Sequence, residues 1–171
     1  MKSLKTLLMA GALTLCASAT SIASAGTFSP YNMPFTTVGG TITLKSPSTF
    51  GAALTCAIQL TGHIAHDGLV AYYSSATITG TNALCSLYKM NDMPMVLTSI
   101  TGSAGTLSNV SFTVVGAPPI IPATHCSAAT ISVSVFNDAG GLTSVANNQV
   151  LPGSCTVLSM RVAAPGVGVT P

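Results

Sequence analysis

Residues 54–61 read LTCAIQLT, and the order of residue types decides the fold class. Leu54, Cys56, Ile58 and Leu60 point one way while Thr55, Ala57, Gln59 and Thr61 point the other. A period of two belongs to a strand with one buried and one wet face. The pattern recurs outward along the chain. Val110, Phe112 and Val114 alternate with Ser111, Thr113 and Val115, and Ile131, Val133 and Val135 alternate with Ser132 and Ser134. Turn residues separate these runs: Gly39-Gly40, Asp67-Gly68, Gly102 to Gly105, Asn137 to Gly141, Asn147-Asn148 and Pro152-Gly153. Strong helix formers are scarce, and there is no Glu. The expectation is an all-β fold, an antiparallel β-sandwich of about eight to ten short strands.

The N-terminus reads MKSLKTLLMAGALTLCASATSIASA. Lys2 and Lys5 precede an apolar core from Leu7 to Leu15, and Ala23-Ser24-Ala25 supplies small residues at a cleavage site. That is the layout of a secretory signal peptide over 1–25. Residues 26–171 then form a single β-sandwich domain, long enough to bury a core. The tail 162–171, with its small residues and prolines, is expected to fray. Pro118-Pro119 and Pro122 read as a crossover between two halves. No stretch after the leader reaches the roughly 18 apolar residues of a membrane-spanning helix.

Charge narrows the function classes. Beyond the two leader lysines the chain holds only Lys45, Lys89, Arg161, Asp67, Asp92 and Asp138, which sum to zero. Nucleic acid needs a basic patch, and anionic membranes need clusters of Lys and Arg; neither is present. A neutral surface lacks the repulsion that keeps molecules apart, so self-association or adsorption to an apolar interface is favoured.

Four cysteines follow the leader: Cys56, Cys85, Cys126 and Cys155. An even number in an exported chain suggests two disulfides, for which three connectivities exist. Cys56 to Cys85 and Cys126 to Cys155 are both 29 residues apart, so the local pairing is preferred and two related halves are suggested. The absence of a CxxC pair speaks against zinc.

No catalytic constellation is visible. The three Asp lie far apart, and GxSxG, P-loop and GxGxxG motifs are missing. His63, His66 and Asp67 read as a polar hairpin end, and His125 as a surface neighbour of Cys126. Asn109-Val110-Ser111 has the form of a glycosylation sequon. No cofactor or metal is expected. In the segment TFSPYNMPF, Phe28 and Phe35 either plug one end of the fold or form an arm that docks on a neighbour.

Gly26-Thr27-Phe28-Ser29-Pro30, Phe35, Gly39 and Leu44, then Cys56 with Leu60-Thr61-Gly62, form a recognisable series. Ile78-Thr79-Gly80 before Leu84-Cys85, and Asn91-Asp92-Met93-Pro94 after it, continue the series. Together they resemble the protein activators of alkane oxidation, the PraA/PraB-like small exported proteins. Met93 and Met95 stand where that pattern has Leu and Trp. The resemblance implies a secreted, non-catalytic accessory protein for growth on hydrocarbons, acting at the cell surface or an oil–water interface. It carries over no catalytic residues. The alternative is a structural subunit of an extracellular fibre, pilus or adhesive biofilm layer. N-terminal sequencing of the exported protein is expected to read Gly26-Thr27-Phe28; a chain still starting at Met1 would overturn the leader assignment.

Overall fold

The structure is a computed structural model that describes residues 25–171. The leader expected over 1–25 lies, apart from Ala25, outside the described residues. Twelve strands follow in order: β1 (Thr27–Ser29), β2 (Pro34–Thr36), β3 (Val38–Lys45), β4 (Leu54–Ile64), β5 (Val70–Thr79), β6 (Tyr88–Met90), β7 (Met95–Ser99), β8 (Ala104–Val114), β9 (Thr124–Asp138), β10 (Gly141–Leu151), β11 (Cys155–Ala164) and β12 (Gly168–Thr170). The helical content among the described residues is two short 3-10 turns, Pro47–Thr49 and Ala83–Leu87.

Eight strands form a closed ring in the order β3, β4, β5, β7, β8, β9, β10, β11 and back to β3, every pair antiparallel. The fold is thus an up-and-down β-barrel and not the expected sandwich. The correction has a physical cause. A sandwich suits short strands, but β4, β8 and β10 are 11 residues long and β9 is 15. Register shifts at Thr61/Gly62, between Leu107 and Phe112, and at two points of β11 let these strands coil until the sheet meets itself. The expected crossover at Pro118 is also corrected: β8 and β9 pair directly, so that segment joins neighbours.

An eight-stranded barrel has an interior just wide enough for side chains to fill. Leu54, Cys56, Ile58, Leu60 and Ile64 of β4 fill it, with Leu107, Phe112, Ile131, Val133 and Val135 from the far side. Met95, at the position where the family pattern has Trp, is a fully buried member of this core. The outer wall is sparsely charged and rich in hydroxyls, with cross-strand pairs such as Thr43–Thr55 (2.9 Å) and Thr61–Ser75. Apolar-in and polar-out is the reverse of the pattern of an outer-membrane barrel.

The two ends differ. At one, which we call the far pole, β1 and β12 form a two-stranded ribbon over the barrel mouth, Phe28 lying opposite Val169, and both side chains are buried. Phe28 and Phe35 belong to the protein's own core. The tail expected to fray is therefore ordered: it gains a backbone partner in β1 and buries Val167 and Val169. Gly68 makes this packing possible. Its φ is +70°, and a Cβ there would strike the Tyr31 ring and lie 2.7 Å from the Phe28 carbonyl oxygen.

Tyr73 on β5 lies four strands around the ring from Ser144 on β10, so its ring crosses the lumen. It packs edge-on against Phe35, with ring centroids 5.5 Å apart. Burial pushes the Tyr73 hydroxyl up to about 12, with the Ser144 hydroxyl opposing weakly. An unfolded tyrosine ionises near pH ~10. The contribution is fully present below pH ~10 and is lost as pH rises towards about 12, by roughly 1.4 kcal/mol per unit. Urea unfolding at a series of alkaline pH values is expected to show this loss in the natural protein and its absence in Tyr73→Phe. Equal pH slopes would overturn it.

Candidate functional site

The pole opposite the ribbon collects the β3–β4, β5–β6, β8–β9 and β10–β11 connections. Both disulfides sit there, Cys56–Cys85 with Cα atoms 5.7 Å apart and Cys126–Cys155 with 5.9 Å. Cys56 on β4 and Cys126 on β9 start strands diametrically opposed in the ring. The bridges thus tie down two sides of one barrel mouth.

Between them a pair of loops projects apolar side chains. Ser46 opens the turn Pro47–Thr49, and Thr49 Oγ1 closes it, donating to the Ala52 carbonyl (2.8 Å) while lying 3.0 Å from that of Ser46. The turn ends at Phe50 with φ 52° and ψ 34°. A left-handed backbone is rare for a bulky residue and is retained only where surroundings enforce it. Here they do. Ser46 Oγ bonds the Tyr88 hydroxyl (3.0 Å). Ser48 N–H donates to Thr124 Oγ1 (3.1 Å) and Ser48 Oγ to the Pro122 carbonyl (2.6 Å). The turn is thereby stitched to the loop 115–123, whose own bridge pairs Ala117 with Ile121.

Phe50 is 80 % exposed and Ile120 75 %. Two adjoining clefts share Phe50, Ile120 and Ile121. One of about 440 Å³ runs along Gly116, Pro118 and Pro119, and one of about 360 Å³ along Ala52, Ala53 and Leu84. No charged or titratable side chain lines either. Their hydroxyls, Ser48 and Thr49, are already engaged. Such a surface can bury an apolar chain or an apolar partner.

Other residues singled out from sequence lie elsewhere. His63 faces outward on β4 and stacks on Tyr72 at 5.1 Å. His66 Nδ1 lies 2.9 Å from the Asn32 amide nitrogen, and Asp67 Oδ1 accepts from the Leu69 N–H (3.0 Å). These three sit at the far pole and do not converge; among the described residues no three His, Cys, Asp or Glu side chains gather as a metal site. His125 is exposed on β9 beside Cys126. Asn109 donates its amide to the Pro94 carbonyl (3.1 Å), while Ser111 is buried and donates to Asp92 (2.7 Å). Sequence reasoning missed Phe50, Ile120 and Ile121. The available signal was an apolar pair inside a proline-rich turn, where a surface loop is ordinarily polar.

These features define a class: a disulfide-braced up-and-down barrel that presents a fixed apolar pole. The chain belongs to the family described as alkane oxidation protein activator PraA/PraB-like, whose model matches residues 1–171, the whole chain. No curated protein and no solved structure matches it. Among the described residues no helix is long and apolar enough to cross a membrane.

Ser48→Ala removes the buried hydroxyl that fastens the Phe50 turn to the loop 115–123. It is expected to cost about 1–3 kcal/mol by chemical denaturation and to make that loop cleavable by protease. Unchanged stability and unchanged cleavage would show that the two loops are held by other contacts.

Proposed function

We propose that this protein is exported and acts outside the cell as a non-catalytic accessory of hydrocarbon use, applying its Phe50–Ile120 pole to an apolar phase. The observation that carries this reading is Phe50 itself: a large aromatic held in a left-handed conformation and 80 % exposed. Exposed apolar patches on otherwise polar proteins mark interaction surfaces. The family description, an activator of alkane oxidation, supports a helper role. Two disulfides suit an oxidising compartment.

The magnitudes favour reversible adsorption. Burying one Phe or Ile side chain contributes about 1.5–3 kcal/mol. Phe50 and Ile120 together supply roughly 3–6 kcal/mol, which corresponds to millimolar to sub-millimolar affinity for one molecule. With three cations and three anions outside the leader, little repulsion opposes packing of many copies at the boundary.

The test is pendant-drop tensiometry against a liquid n-alkane. The natural protein is expected to lower the interfacial tension. The double variant Phe50→Asp/Ile120→Asp is expected to need at least about a hundredfold more protein for the same effect, the lower end of the roughly 3–6 kcal/mol it loses. Asp tolerates the left-handed backbone at position 50, so the variant keeps its fold. Equal activity of the two proteins, or none in the natural one, would refute the reading.

A further inference from the structure

The far pole is also apolar at its surface. Tyr31, Met33 and Leu69 are exposed there, on the segment between β1 and β2 and on the β4–β5 turn. Met33 is fixed by its carbonyl accepting from the Ile64 N–H (3.0 Å). The molecule thus has two unlike apolar ends separated by a wall of Ser and Thr.

The charges are divided between the same ends. Lys45 closes β3 at the disulfide pole, and Lys89 lies opposite Thr113, one residue from the end of β8. Asp67 lies in the β4–β5 turn at the far pole. Asp138 is at that pole too, paired with Arg161 at 2.6 Å. The Thr143 hydroxyl, the Gly140 N–H and Arg161 hold the Asp138 carboxyl below its ordinary value, so it stays ionised. Asp92 is on the wall, where it accepts from Ser111. Arg161 offsets Asp138, so Asp67 leaves the far pole with one net negative charge, while Lys45 and Lys89 make the disulfide pole positive.

We propose that copies of this protein associate head to tail, the Phe50–Ile120 pole of one barrel seating on the Tyr31–Met33–Leu69 pole of the next. Contact between like poles would set the lysines of two copies against each other, or their Asp67 carboxylates. Unlike poles bring Lys45 and Lys89 towards Asp67 while both apolar surfaces leave water. A contact between two different surfaces at opposite ends does not close on itself, so it adds barrels in an open row. This association does not depend on the hydrocarbon reading, although it occupies the same Phe50 pole.

The test uses two blocked variants of the exported protein and sedimentation velocity. Phe50→Asp/Ile120→Asp adds anions to the disulfide pole, and Met33→Arg/Leu69→Arg adds cations to the far pole. The natural protein is expected to form species larger than a dimer as concentration rises, and each variant alone to remain monomeric. An equimolar mixture, which retains one free pole of each kind, is expected to form a 1:1 dimer and nothing larger. A natural protein that stays monomeric at millimolar concentration, a single variant that dimerises by itself, or a mixture without dimers would each overturn the proposal. Lys45→Glu/Lys89→Glu leaves every apolar side chain in place. At low salt it is expected to weaken association about tenfold (~1.4 kcal/mol), with Asp67→Lys in the partner restoring it. No change in that pair would likewise count against the proposal. The Met33→Arg/Leu69→Arg variant still lowers alkane–water tension if the Phe50 pole serves that role, so the two readings fail separately.

Discussion

The pairing of β3 with β11 holds the barrel shut. Thr156 meets Lys45, Met160 meets Ile42 and Ala163 meets Val38, so the first barrel strand hydrogen-bonds the last. Without this seam the sheet would have two long open edges, and an open edge is a template for another chain. With it, the strands left outside the ring, β1, β2, β6 and β12, are each three residues long. Closure also sets the lumen width. Tyr73 can cross from β5 towards Ser144 on β10 only because eight strands leave about that much room.

The disulfide pole inherits its rigidity from this seam. Strand ends locked in a ring fix where the loops 46–53 and 115–123 begin, and the Ser48 bonds to Pro122 and Thr124 fix where they go. The disulfides add constraint at the same mouth, each worth roughly 3–4 kcal/mol in the loop-entropy account. The cost of holding Phe50 in a left-handed conformation is of order 1–3 kcal/mol, which the hydrogen bonds and bridges around it can carry.

Much of the wall was legible in the sequence. Alternation in 54–61 and 131–135 assigned inward and outward faces correctly, because the pleat makes side chains alternate whatever the sheet does next. Closure was not legible. It depends on the register between β3 and β11, which lie more than a hundred residues apart, and on bulges with no distinct residue signature. The ordered tail was missed for the same reason: Gly168–Thr170 has a partner only because Thr27–Ser29 arrives beside it. The apolar pole was hidden in two segments about 70 residues apart, neither of which is unusual alone. The cysteine offset of 70 residues has a counterpart in the ring, where the same shift carries β4 onto β9 and β5 onto β10. Opposite strands are related in sequence position, although their side chains are not alike.

The seam also dictates when the molecule can exist. A growing chain presents β3 early, but its partner β11, Cys155–Ala164, follows more than a hundred residues later. Every earlier truncation is a curled sheet with a gap, its core half wet. The closed barrel is therefore out of reach until β11 has been made. Non-local pairing of this kind is slow to form. Until β11 arrives, β3 keeps one edge unpaired, and the last strand of the ring is the one that commits the chain to its fold.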